Sequence, residues 1–118
     1  MNKFARKYLF SILAVAALAF AASTMTHTSE AAYFQSAKSL FAQKCSVCHA
    51  NDGSGNTAKG KELKVRNWKT DPEVKKMTDA KMMEVTLKGK GKMEGYEKTL
   101  GKEKVEMLVK YSKELMGK

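Results

Sequence analysis

Cysteine, histidine and proline are scarce in this chain of 118 residues, which holds two cysteines, two histidines and one proline. That supply falls short of a structural zinc site, which takes four Cys or His ligands, usually as two separated pairs. The shortage deepens because His27 lies in a segment that reads as a removable leader. No alternation of apolar and polar residues marks a strand. Without a βαβ pattern the two thiols do not read as a thioredoxin-like redox pair. No apolar run reaches the roughly 20 residues of a membrane-spanning helix. Internal repeats and low-complexity tracts are absent as well. Acidic residues number 12 against 22 basic ones, a formal charge of +10. Charges of both signs are nevertheless interspersed and no nucleic-acid motif accompanies them, so nucleic acid is a poor partner for this surface.

The N-terminus has the form of a secretory signal peptide: Lys3, Arg6 and Lys7, then an apolar run over 9–22, then small residues. The expected cut follows Ala31, with Ser29 three back; Ala21 is the other candidate, and an uncleaved N-terminal anchor is the alternative. No cysteine follows the run closely enough for lipid attachment. The domain reading is therefore a leader over 1–31 and one domain over 32–118. Its location would be outside the cytoplasm, in a bacterium the periplasm, with membrane contact or tethering only if the leader stays. Removing Lys3, Arg6, Lys7 and Glu30 lowers the formal charge from +10 to +8. The 87 residues left of 118 are few for a self-sufficient core, and domains of that size often lean on a staple or a metal.

What is present supplies one. Cys45-Ser46-Val47-Cys48-His49 is a C-x-x-C-H stretch, the signature of covalent c-type haem attachment. On one helical turn two sulfurs can reach the two vinyl groups of a single porphyrin, and the following imidazole is held where it can coordinate the iron. A plain disulfide, possible in an exported protein, leaves His49 unexplained.

Around this stretch the chain reads as all-α. Tyr33 to Lys44 is an amphipathic helix with Phe34, Ala37, Leu40 and Phe41 on one face. Ala50 to Gly60 reads as a loop, rich in turn signals, whose carbonyls could accept the free ring N–H of His49. Lys61 to Lys69 carries Leu63, Val65 and Trp68. Trp68 reads as a core aromatic closing the haem crevice, its indole N–H donating to a haem propionate. Asp71 as N-cap and Pro72 at the first helical position open a short helix ending near Met77. Thr78 or Asp79 caps the next, through about Lys88, with Met82, Met83, Val85 and Leu87 as its inward candidates. Three glycines then break the periodicity over 89–95. Lys102 to Met116 is a last helix with Val105, Leu108, Val109, Tyr111 and Leu115 on its apolar side.

His49 fills one face of an iron, and the other takes a nitrogen, a thioether or an open site. Export removes the only other histidine. Met82, Met83, Met107 and Met116 lie in helical patterns, where methionine is usually a core filler. Met93 differs, as a lone apolar residue between Lys92 and Glu94 in a flexible glycine-rich loop. Spacing favours it, with Met77 or an open site as alternatives.

The ordered set resembles the class I (mitochondrial-type) bacterial monohaem cytochromes c over roughly residues 34–116. It comprises Leu40-Phe41, Cys45-Ser-Val-Cys48-His49, Asp52-Gly53-Ser-Gly55-Asn-Thr, Thr78-Asp79, Gly89-Lys-Gly-Lys-Met93 and Leu108-Val109-Lys-Tyr111. The resemblance implies a small cytochrome c fold, three to five helices wrapped around one haem c bound through Cys45 and Cys48. It also implies crossing first and last helices and Met93 as sixth ligand. This chain departs from the family in having Glu94 where proline usually follows the ligand methionine, Ala58 where proline is frequent, and Ala37 where glycine is common. The first two departures predict a more labile Met93–iron bond.

The function expected is electron transport without enzymatic activity: an exported cytochrome passing single electrons between redox proteins. Lys44, Lys88, Lys90 and Lys92 would steer an acidic partner to the haem edge. A solvated basic surface is the plainer reading of those lysines. The rival functions are a peroxidase or ligand sensor with a labile or open sixth site, and a haem subunit fixed in a larger respiratory or dehydrogenase complex.

Overall fold

The computed structural model describes residues 29–117, so the leader expected over 1–31 lies, up to residue 28, outside the described residues. The chain divides into two units, Met1–Tyr33 and Phe34–Lys118. Of the first, residues 29–33 are described, and they are helical. The regular elements of the second unit are all helices, with no strand among the described residues. No helix among them is long and apolar enough to cross a membrane.

Helix α1 occupies residues 34–44 of this unit, and its apolar spacing decides what it buries: Ala37 is 0% and Phe41 1% exposed. One turn, α2 (Ser46–His49), follows almost without interruption, because the Cys45 N–H still donates to the Phe41 carbonyl at 2.8 Å. The loop after it ends sooner than its turn signals suggest. Thr57 caps a short helix α3 (Ala58–Glu62), its side chain accepting from the Gly60 N–H. No apolar periodicity marks this helix, since its one buried residue is Gly60. Asp71 caps α4 (Pro72–Lys75), accepting from the N–H groups of Glu73 and Val74, with Pro72 in the first turn. Thr78, rather than Asp79, caps α5 (Asp79–Lys88) by accepting from the Lys81 N–H. Helix α6 (Glu97–Leu115) is broken at Gly101, whose φ of 75° is non-helical, so its regular part begins at Lys102 as the pattern predicts.

The core lies where α5 packs on α6. Val74, Met82, Val105, Val109 and Met116 are buried together, with Met77, Met83, Leu87, Tyr96 and Leu100 against them. An exposed Lys113–Asp79 ion pair at 2.6 Å joins the same two helices at their surface. Ser112, buried on α6, satisfies its hydroxyl by donating to the Leu108 carbonyl at 2.8 Å. Phe41 carries α1 into contact with the rest, meeting Tyr111 of α6 edge to face at 5.4 Å and Trp68 at 5.7 Å. Two aromatic neighbours and near-complete burial make truncation of Phe41 costly: Phe41→Ala should lower stability by about 3–5 kcal/mol. Denaturant titration of the haem-loaded protein measures it, and Phe41→Leu should lose markedly less.

Candidate haem site

One helical turn positions the two expected attachment thiols, Cys45 and Cys48, and the expected iron ligand His49. The His49 N–H donates to the Cys45 carbonyl at 2.9 Å, and the Ser46 hydroxyl donates back to the Ala42 carbonyl at 2.6 Å, which ties the turn to α1. Cys45 and Cys48 are half-buried free thiols. Burial, and then the neighbouring Cys48, push the Cys45 thiol up to about 11, so it is protonated at neutral pH. Burial also lowers the His49 pKa, which keeps the imidazole neutral and its lone pair available to a metal.

The loop after α2 is fastened to it. Thr57 donates its hydroxyl to the Val47 carbonyl at 2.7 Å while accepting from the Gly60 N–H at 2.8 Å. The Gly55 N–H donates to the His49 carbonyl at 2.9 Å. Gly60 makes this closeness possible, because a Cβ there would sit 2.4 Å from the Cys48 carbonyl oxygen and 2.2 Å from that of Gly55. The expected hydrogen bond from the His49 ring to a loop carbonyl is not made: His49 Nδ1 is buried and has no partner. Several of those carbonyls already accept elsewhere, Gly55 from the Thr57 N–H and Gly60 from the Val65 N–H. Trp68 lies against the His49 ring, with centroids 4.6 Å apart.

Met93 is half-buried, and backbone hydrogen bonds close the loop that carries it. Lys90 and Met93 exchange two backbone hydrogen bonds of 2.9 and 3.0 Å, closing a tight hairpin around Gly91. Gly89, at φ 82°, lets the hairpin fold back, since a Cβ there would meet the Met93 carbonyl oxygen at 2.6 Å. Beyond it the Tyr96 N–H donates to the Thr86 carbonyl at 3.0 Å, and the Tyr96 hydroxyl donates to the Lys44 carbonyl at 3.1 Å. The methionine loop is thereby bonded to the residue preceding Cys45. Met77, the rival sulfur, packs against the core. Lys44, Lys88, Lys90 and Lys92 are all exposed, and the Tyr96 bond brings Lys44 to the segment that bears the other three. Thr57 closes the Asp52-to-Thr57 motif of the resemblance without its capping role being legible there, and neither Gly60 nor Tyr96 carries a motif; an aromatic isolated between Glu94 and Glu97 is the one available signal for Tyr96.

The donor set fits a covalently held haem. Two unpaired thiols bracket a single turn, and the residue after the second is a neutral imidazole with an orphaned, buried nitrogen. Among the described residues no cluster of three or more His, Cys, Asp or Glu offers a rival metal site.

Burial, and then the Glu94 carboxylate beside it, push the Tyr96 phenol from 10 up to about 12. The folded protein therefore keeps a proton that the unfolded chain releases in that interval, and stability should fall as pH rises from about 10 to 12. Denaturant titrations at about pH 9 and about pH 11.5 should show that loss in wild type and a smaller one in Tyr96→Phe.

The sequence model of a family described as cytochrome c oxidase, cbb3-type, subunit III matches residues 32–111. No curated protein matches the chain. The family match spans well over half of the chain and agrees with the helical fold and the haem-type donor set. The chain belongs to this family: it is a monohaem c-type cytochrome, and its chemistry is haem-based electron transfer.

Proposed function

We propose that this cytochrome is exported to the periplasm and carries single electrons between redox proteins as a class I type carrier. Cys45 and Cys48 hold haem c as thioethers, His49 and Met93 ligate the iron, and the indole N–H of Trp68 donates to a propionate. The observation that carries the reading is the hairpin of Met93, hydrogen-bonded through Tyr96 to the backbone at the haem motif. Bound between a nitrogen and a thioether, haem iron supplies a one-electron couple with little reorganisation and a raised potential. The chain's own part is to hold those ligands still and to keep His49 neutral. Its exposed lysines Lys44, Lys88, Lys90 and Lys92 steer an acidic partner toward the site. A second reading, a haem subunit fixed in a larger respiratory complex, draws on the family's description as an oxidase subunit. An uncleaved leader would favour it by tethering the domain.

Met93→Ala should abolish the weak red-edge methionine–iron band of the oxidised protein, and a band indifferent to the substitution would move the reading to another or an open site. With glutamate in place of proline after Met93, imidazole should displace the methionine more readily in wild type than in Glu94→Pro. Changing Lys88, Lys90 and Lys92 together to glutamate should slow reduction by an acidic redox partner by about tenfold or more at low salt and flatten its salt dependence. Stopped-flow mixing measures both, and unaltered rates would leave the lysines as an ordinary solvated surface.

A further inference from the structure

A metal-bound histidine ordinarily donates its second ring N–H to an acceptor that fixes the orientation of the ring. His49 has no such bond, for its buried Nδ1 is unpartnered. The ring instead meets Trp68, centroids 4.6 Å apart and planes inclined by 39°, within the range of attractive aromatic contact. Trp68 is itself held from several sides. Its backbone N–H donates to the Gly53 carbonyl at 2.9 Å, and Phe41 meets the indole edge-on at 5.7 Å. Gly53 leaves the space the indole takes, because a Cβ there would lie 2.7 Å from Trp68 Cε3. Phe41 rests in turn on Tyr111. A row of rings, Tyr111, Phe41, Trp68 and His49, thus runs from α6 to the expected iron ligand.

We infer that Trp68 is a positioning residue, its indole setting the plane of the His49 imidazole where a hydrogen bond to Nδ1 ordinarily would. The inference rests on His49 as an iron ligand and is independent of Met93. The plane of an axial imidazole decides which iron orbitals it overlaps, and so how the unpaired spin of the oxidised centre spreads over the porphyrin. An imidazole without an acceptor at its second nitrogen is also a weaker donor, which adds to a raised potential.

Nuclear magnetic resonance of the haem-loaded protein tests this directly. In the reduced state the His49 ring protons, shifted to high field by the porphyrin, should show Overhauser contacts to the indole of Trp68, the only tryptophan. In the oxidised state Trp68→Leu should change the order and spread of the haem methyl resonances and shift the reduction potential. Trp68→Phe, which keeps an aromatic face, should return both most of the way to wild type. Absence of the Overhauser contacts in wild type would overturn the inference even if neither variant folds, and so would an unaltered methyl pattern in Trp68→Leu. Absence of high-field His49 ring protons would instead remove the ligation reading, and this inference with it.

Discussion

The structure depends on one turn of helix, α2, being held rigid by a chain too short to surround it with a deep core. A single turn has little stability of its own, since nucleating a helix fixes several residues for one hydrogen bond. Its neighbours supply what it lacks. Cys45 continues the hydrogen bonding of α1, Thr57 pins the next loop to the Val47 carbonyl, and Gly60 admits that loop to van der Waals distance of Cys48. Tyr96 reaches the end of α1, at the Lys44 carbonyl just before that turn, from far along the sequence. The buried cluster between α5 and α6 anchors these contacts; on the α1 side they rest on Phe41, against Trp68 and Tyr111.

The elements that the sequence made legible are those in which one local rule decides the outcome. Ala37 and Phe41 recur at helical spacing and are buried, and Asp71-Pro72 and Thr78 are side-chain caps with their own signature. The last helical pattern starts at Lys102, directly after the non-helical Gly101; the turn of helix before that glycine carries no pattern of its own. Helix α3 escaped because its stability comes from Thr57 and from contact with α2, neither of which leaves an apolar period. The loop of Met93 reads as flexible from its glycines, yet those glycines serve close packing and a paired hairpin. Composition reports that a backbone is free to bend; it does not report that the bend is then bonded in place.

The site shows the same division. Cys45, Cys48 and His49 are readable because covalent haem attachment demands a fixed spacing within five residues. What orients them is not readable, since it is assembled from partners distant in sequence. The carbonyl acceptor expected for His49 is a sound generalisation about metal-bound histidines that this loop does not fulfil. An aromatic face occupies the neighbouring space instead. Trp68 was legible as a core aromatic but not as a neighbour of the imidazole, for nothing in residues 61–69 marks which ring it will meet.

The hydrogen bond from Tyr96 to Lys44 spans 52 positions. Bringing two such distant points together carries an entropic cost that grows only slowly with the length between them. A bond between Met93 and an iron held at His49 would close almost the same stretch of chain. The two contacts therefore confront one closure rather than two, and whichever forms first leaves the other a nearly local step. The cytochrome's long middle segment, with its short helices, is in this sense a tether whose ends meet through a phenol on a carbonyl and, under the proposed ligation, would meet a second time through a sulfur on a metal.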